Sequence, residues 1–147
     1  MTGLSAAEFA DKVSETMAVI YREFMKQQAS EFYKLKVTVP QLGILEFLHR
    51  SGGSNMSDIA RYMNVTTAAM TGIVDRLVRD GYVMREHDDN DRRIVRIKLT
   101  AKGGSVVRSM IERKRRFTAK IFSTLSHSER EEYLKILTRI REGLSSQ

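Results

Sequence analysis

The sequence predicts a mainly α-helical chain with one small β-hairpin set into it, an α+β arrangement built as a single domain over residues 1–147. Three observations carry that expectation. Apolar residues recur at helical spacing in long segments at both ends of the chain. Two short helical patterns meet at a tight turn around Asn64. From Val83 to Leu99 the period changes from helical to alternating, interrupted by a polar tip.

In the N-terminal segment, Ala6 to about Lys36, the apolar residues Val13, Met17, Ile20, Tyr21, Phe24, Phe32 and Leu35 recur at helical spacing. This predicts one long helix, or a helix with a break. Pro40 ends the pattern, because the residue before a proline disfavours helix, and proline is comfortable in a first turn. A second helix therefore runs from Pro40 to Arg50 and stops at Ser51-Gly52-Gly53.

The next helix starts at Asn55, whose side chain can cap the first turn, with Asp58 close to the positive end of the dipole. Its inward residues, with those that follow the turn, are Ile59, Ala60, Met63, Val65, Met70 and Ile73. Asn64 takes the turn, since asparagine tolerates a positive φ almost as well as glycine. Thr66 and Thr67 offer caps for a further helix, Thr67 to Arg79, which Gly81 terminates. An ordinary helical hairpin would share this spacing. The hairpin that follows distinguishes them: Val95, Ile97 and Leu99 alternate with Ile94, Arg96 and Lys98 behind the tip Asp88-Asp89-Asn90-Asp91-Arg92-Arg93. A β-hairpin directly after a helix-turn-helix is a wing, so the expected architecture is a winged helix-turn-helix. From Ala101 a second long amphipathic helix follows, and Ser126 with Glu129 forms the capping box of a last one.

The run Asp91-Arg92-Arg93, continued by Leu99-Thr100 and Lys102-Gly103, resembles the wing signature of the MarR family of bacterial transcription regulators. Leu77 to Val83 resembles the end of that family's recognition helix. The resemblance implies that residues 1–36 and 101–147 are dimerisation helices around a DNA-binding lobe at residues 37–100. It implies a homodimer on a pseudo-palindromic operator in double-stranded DNA, acting as a repressor that a small aromatic or phenolic effector releases. Arg93 would reach the minor groove, oriented by Asp91, with Arg92 on the backbone. The effector cleft would draw on Tyr21, Phe24, Met25, Leu42, Phe47 and Met110.

Read from the residues themselves, the early turns of the second helix would meet the major groove with Thr66, Thr67, Ala68 and Thr71, and Arg76 would lie near phosphates. The family often carries an arginine where this chain has Gly72, so one contact of the pattern is missing here.

Charge agrees with a polyanionic partner. The net charge is +7. Residues 1–80 carry nine basic and nine acidic side chains, whereas residues 81–116 carry eleven and five, so the excess sits on the wing and the helix after it. No cysteine is present, which excludes disulfides, zinc-thiolate sites and thiol sensing. His49, His87 and His127 fall in three separate elements and make no ligand pair, so neither a metal nor a cofactor is expected. No nucleotide loop or strained nucleophile turn is visible, and no enzyme is expected. Neither a membrane span nor a leader segment is read, which points to the cytoplasm. The competing reading is an architectural or protein-interaction module that binds DNA without sequence choice.

Overall fold

A computed structural model describes residues 3–145, and helix accounts for 73% of it, with one small antiparallel sheet. The order is α1 (Ala6–Leu35), α2 (Val39–Ser51), β1 (Ser54–Asn55), α3 (Met56–Tyr62), α4 (Thr67–Arg79), β2 (Val83–His87), β3 (Val95–Leu99), α5 (Ala101–Phe122) and α6 (His127–Ser145). The chain divides into two compact units, Met1–Val107 and Arg108–Gln147.

In the first unit each helix is delimited by side chain to backbone bonds. Ser5 and Glu8 form a capping box at the start of α1, and Thr38 with Gln41 forms another at the start of α2. The second box sets the start of α2 one residue before Pro40, which occupies the first turn. The N-terminal helix is unbroken from Ala6 to Leu35, and Lys36 ends it in the left-handed conformation with φ 52°. The core gathers Ile44, Leu45 and Leu48 of α2, Ile59 and Ala60 of α3, and Met70, Val74 and Leu77 of α4. Val83 and Ile97 of the sheet and Val106 and Val107 of α5 close it. Burying a side chain of this size contributes about 1.5–3 kcal/mol, which is what holds two helices as short as α3 and α4 in place.

Of the inward set expected around the turn, Ile59, Ala60 and Met70 are buried, and Met63 and Ile73 are half-buried. Val65 departs from expectation at 40% exposed. It contributes through its backbone instead, since its N–H donates to the Ala60 carbonyl (3.0 Å) and closes the helix end.

The sheet has three strands in the order β1-β3-β2, where sequence pattern revealed only a hairpin. β1 adds two residues, with Ser54 opposite Ile97 and Asn55 opposite Arg96. Gly53, at φ 125°, makes the approach possible, because a Cβ there would lie 2.8 Å from Lys98 Cγ. Across β2 and β3 Val83 faces Leu99 and His87 faces Val95. Ile97 is buried, but Val95 is exposed, because the alternation continues past the end of the core that it serves lower down.

In the second unit the capping box read at Ser126 and Glu129 is present: Ser126 N–H donates to Glu129 Oε2 (2.7 Å), and Glu129 N–H donates to Ser126 Oγ (3.3 Å). The Phe122 and Tyr133 rings meet at 5.1 Å between centroids. No described residue of α6 is buried, and Leu134, Leu137, Ile140 and Leu144 are exposed. Among the described residues no helix is long and apolar enough to cross a membrane.

Candidate nucleic-acid interface

Helix α3 ends and α4 begins around Asn64, which takes φ 54° as its short amide side chain permits. Asn64 N–H donates to Arg61 O (3.1 Å) and Val65 N–H to Ala60 O (3.0 Å), the paired bonds that close a helix through a left-handed residue. The same pair recurs at the far end of α4, where Gly81 N–H meets Val78 O (3.0 Å) and Tyr82 N–H meets Leu77 O (2.9 Å). Helix α4 thus follows one such backbone closure and ends in another. Its inner stripe of Met70, Val74 and Leu77 leaves Thr67, Ala68, Ala69, Gly72, Asp75 and Arg76 facing outward.

Among the threonines read as groove contacts, Thr66 is occupied: its hydroxyl oxygen caps the helix by accepting from Ala69 N–H (3.1 Å). Thr71, half-buried, donates its hydroxyl proton to the Thr67 carbonyl (2.9 Å), which leaves its oxygen lone pairs as acceptors. Thr67 and Ala68 are exposed. Gly72 opens on empty space. Arg76 lies a turn beyond, exposed.

The wing tip is organised by its own carboxylates. Asp88 accepts from Asn90 N–H (2.9 Å), and Asp91 accepts from Arg93 N–H (3.0 Å), two side-chain turns in sequence. Asp91 then receives the Arg93 guanidinium in a forked pair, Nε to Oδ1 at 3.0 Å and Nη2 to Oδ2 at 2.9 Å. The Arg93 side chain nevertheless stays 90% exposed. The guanidinium holds the Asp91 carboxyl below its ordinary range, helped by the Arg93 amide. The Asn90 amide does the same for Asp88, supported by the Asp91 amide and by Arg96. His87 Nδ1 lies 2.8 Å from the Arg92 carbonyl and closes the loop from the other arm.

Several cations of the basic excess are spoken for. Arg85 pairs with Asp75 of α4, Lys98 with Glu86 (2.6 Å) and Arg96 with Asp88 (3.6 Å). Arg96 also donates to the Gly53 carbonyl (3.1 Å). Among the described residues Arg76 and Arg92 hold no ion pair, which leaves them available to phosphates. Sequence reasoning missed Arg85. No local pattern signals it, because Arg85 is exposed and its partner Asp75 lies on another element.

Thr100, Lys102 and Gly103, which continue the run that resembles the wing signature, join the wing to α5. Thr100 caps α5, accepting from Gly103 N–H (3.1 Å), and its hydroxyl donates to the Gly81 carbonyl (2.6 Å). Lys102 Nζ donates to the Asp80 carbonyl (2.7 Å) and sits 4.3 Å over the Tyr82 ring. Gly103 meets the Tyr82 carbonyl so closely that a Cβ would lie 2.0 Å from its oxygen.

The residues read as an effector cleft are dispersed in character. In the first unit Leu42 is buried in the core, Phe24 and Met25 are half-buried, and Tyr21 is exposed. Phe47 stacks on Tyr62, centroids 4.4 Å apart, and the Tyr62 hydroxyl accepts from Arg50 Nη2 (2.6 Å). Met110, half-buried, belongs to the second unit. Among the described residues no group of three or more His, Cys, Asp or Glu could hold a metal ion.

Residues 37–95, from the start of α2 to the wing, match the model of the MarR family. The uncharacterised HTH-type transcriptional regulator YfiV of Bacillus subtilis is 34% identical over 117 residues, 78% of this chain and 73% of that protein. The HTH-type transcriptional repressor MdtR of the same organism is 24% identical over 95% of this chain and 90% of its own. Streptococcus pneumoniae FabT, solved in complex with DNA, superposes with a TM-score of 0.79 at 21% identity, covering 97% of this chain and 99% of that one, and so shares its fold. The helix-turn-helix, the braced wing and these likenesses converge: the chain belongs to the MarR family, whose members are DNA-binding transcription regulators that work as dimers, not enzymes.

Proposed function

We propose that the chain is a homodimeric repressor of cytoplasmic location that reads a pseudo-palindromic operator and is released by a small aromatic or phenolic molecule. The observation that carries the operator reading is the pairing of a helix whose exposed face is small and threonine-bearing with a wing that projects one pre-oriented arginine. Thr67, Ala68 and Thr71 fit the major groove, where threonine meets base edges by its oxygen and thymine by its methyl group. Arg93 fits the minor groove, Arg92 and Arg76 fit phosphates, and Thr66 caps α4 by its oxygen while its hydroxyl proton can donate to the duplex.

The dimer is supported by apolar side chains that the single chain leaves in water. Phe9, Met17 and Tyr21 of α1 are 51–59% exposed, and Leu134, Ile140 and Leu144 of α6 are 55–71% exposed. Covering residues of this kind contributes about 1.5–3 kcal/mol each when complete, which favours association. Residues 1–36 and 101–147 are accordingly assigned to the dimer interface and residues 37–100 to the DNA-binding lobe. A two-fold dimer presents its recognition helices to half-sites roughly 34–36 Å apart. Release by an effector rests on the MarR membership alone, and Tyr21, Phe24, Met25, Leu42, Phe47 and Met110 remain the residues to vary.

One observation favours the second reading, DNA binding without sequence choice: no cation precedes Arg76 on the outward face of α4. Fluorescence anisotropy separates the two at fixed salt. The repressor reading requires the promoter region of the chain's own gene to bind at least about 10³-fold more tightly than random duplex. Equal affinity, collapsing together as salt rises, supports the architectural reading instead. Light scattering should give a mass near twice 16.8 kDa.

A further inference from the structure

The end of the recognition helix is tied to more of the chain than its own capping requires. Tyr82 follows α4 directly, is 4% exposed, and donates its hydroxyl proton to the Leu35 carbonyl at the end of α1 (2.7 Å). Its backbone N–H closes α4 on Leu77, and its carbonyl accepts from Thr100 N–H (3.1 Å) where the wing returns. Its ring lies under the Lys102 ammonium, and Lys102 reaches back to the last turn of α4 through the Asp80 carbonyl. Four elements therefore meet at one residue: the ends of α1, α4 and β3 and the start of α5, the first and last of them through its side chain.

We infer that Tyr82 is a positioning residue for operator recognition, which ties the recognition helix to the end of α1 and so sets the half-site spacing the protein accepts. The inference rests on the dimeric regulator reading above, in which α1 belongs to the dimer frame and α4 enters the groove. A last-turn carbonyl such as that of Leu35 has no partner within its own helix, so the phenol supplies one and fixes where the lobe sits along α1. The ring provides the packing. The oxygen provides the register. Because the Tyr82 backbone belongs to the cap of α4, a lobe that loses this tie gains freedom in the axis of α4 rather than in its fold.

The test is Tyr82→Phe, which keeps the ring and removes only the oxygen, with Lys102→Met as an independent second variant on the α5 side. An operator is first selected from a pool of random duplexes by the parent protein. Binding is then measured on that operator and on versions with one base pair added or removed between the half-sites, each change rotating one half-site against the other by about 34–36°. The parent should prefer the selected spacing. In Tyr82→Phe the preference should fall about two- to tenfold, the range that one neutral hydrogen bond can supply, while affinity for a duplex carrying a single half-site stays at the parent value. Where circular dichroism shows Tyr82→Phe unfolded at the assay temperature, Lys102→Met is read the same way.

An unchanged spacing preference in the folded variants overturns the inference and leaves the regulator reading intact. So does a loss spread equally over all the duplexes, which marks a role in stability only. A parent that selects an operator yet binds all three spacings alike also overturns it. A pool that yields no preferred sequence overturns the regulator reading, and the inference with it.

Discussion

Replacing Gly103 by alanine adds a methyl group where the first turn of α5 rests on the backbone of Tyr82. The new carbon would lie 2.0 Å from the Tyr82 oxygen, 3.0 Å from its carbonyl carbon and 3.2 Å from Leu99 Cδ2. The nearest of these is backbone and cannot swing aside, so α5 must withdraw by about 1 Å even to reach a tight contact. Such a retreat stretches the Thr100 hydroxyl bond to Gly81 from 2.6 Å to about 3.6 Å, and the Thr100 amide bond to Tyr82 from 3.1 Å to about 4.1 Å. Two bonds of this kind contribute about 0.5–1.5 kcal/mol each. Overpacking costs typically 1–3 kcal/mol and overlaps with that loss. Alanine returns up to about 1 kcal/mol through its better helix propensity. The net expectation is a loss of about 2 kcal/mol, a melting temperature lower by roughly 4–8 °C for a chain of this size.

Gly72→Ala is the matched control. Nothing lies within 4 Å of a Cβ at Gly72 in mid-helix, so the same chemical change should stabilise by about 0.5–1 kcal/mol. Urea denaturation of the three proteins at one protomer concentration checks both, since melting of a dimer depends on concentration. Gly103→Ala melting with the parent, or Gly72→Ala falling below it, would refute the close-approach argument.

Arg93→Ala should weaken operator binding by about tenfold or more while leaving the melting temperature unchanged, because the side chain is almost wholly in water and its ion pair is with Asp91 of the same loop; an unaltered dissociation constant removes Arg93 from the interface. The Asp88 and Asp91 carboxyls have depressed folded values, so the order they confer is present above the unfolded range near about pH 4 and is lost as pH falls through the lower folded value. The Arg93 side-chain Nε–H resonance should accordingly stay sharp from neutrality to below about pH 4, and its disappearance between pH 7 and 5 would contradict the forked pair. At the turn, Asn64→Gly should be close to neutral and Asn64→Ala should cost about 1 kcal/mol in urea denaturation, because φ is 54° there.

What could be read in advance was local. The bounds of α4, the positive φ at Asn64, the stop at Gly81 and the box at Ser126 and Glu129 each depend on residues within one turn of chain, where propensity and capping chemistry act. The boxes at Ser5-Glu8 and Thr38-Gln41 obey the same spacing and were open to the same reasoning. What stayed hidden was distant in sequence. β1 is two residues long and pairs with a strand some forty positions away, too short to show a period. The Tyr82 hydroxyl bond spans 47 positions, and the Arg85 partner lies on another element. The wing arginines were singled out by resemblance, and which of the neighbouring cations are neutralised depends on cross-strand register, which no pattern of alternation specifies.

The wing tip is shaped by bonds that carry their instructions with them. Asp88 and Asp91 each fold the backbone two residues ahead, and His87 fastens the far arm, so the loop owes little to the hydrophobic interior. A mutation at Asp89, Asn90 or Arg92 therefore alters what the tip offers to a neighbour without disturbing the turns that present it. Evolution can vary such a surface almost independently of folding. Duplicated copies of a gene of this design can drift toward different regulatory sites while inheriting the same interior, a route by which one architecture supplies a genome with many separate controls.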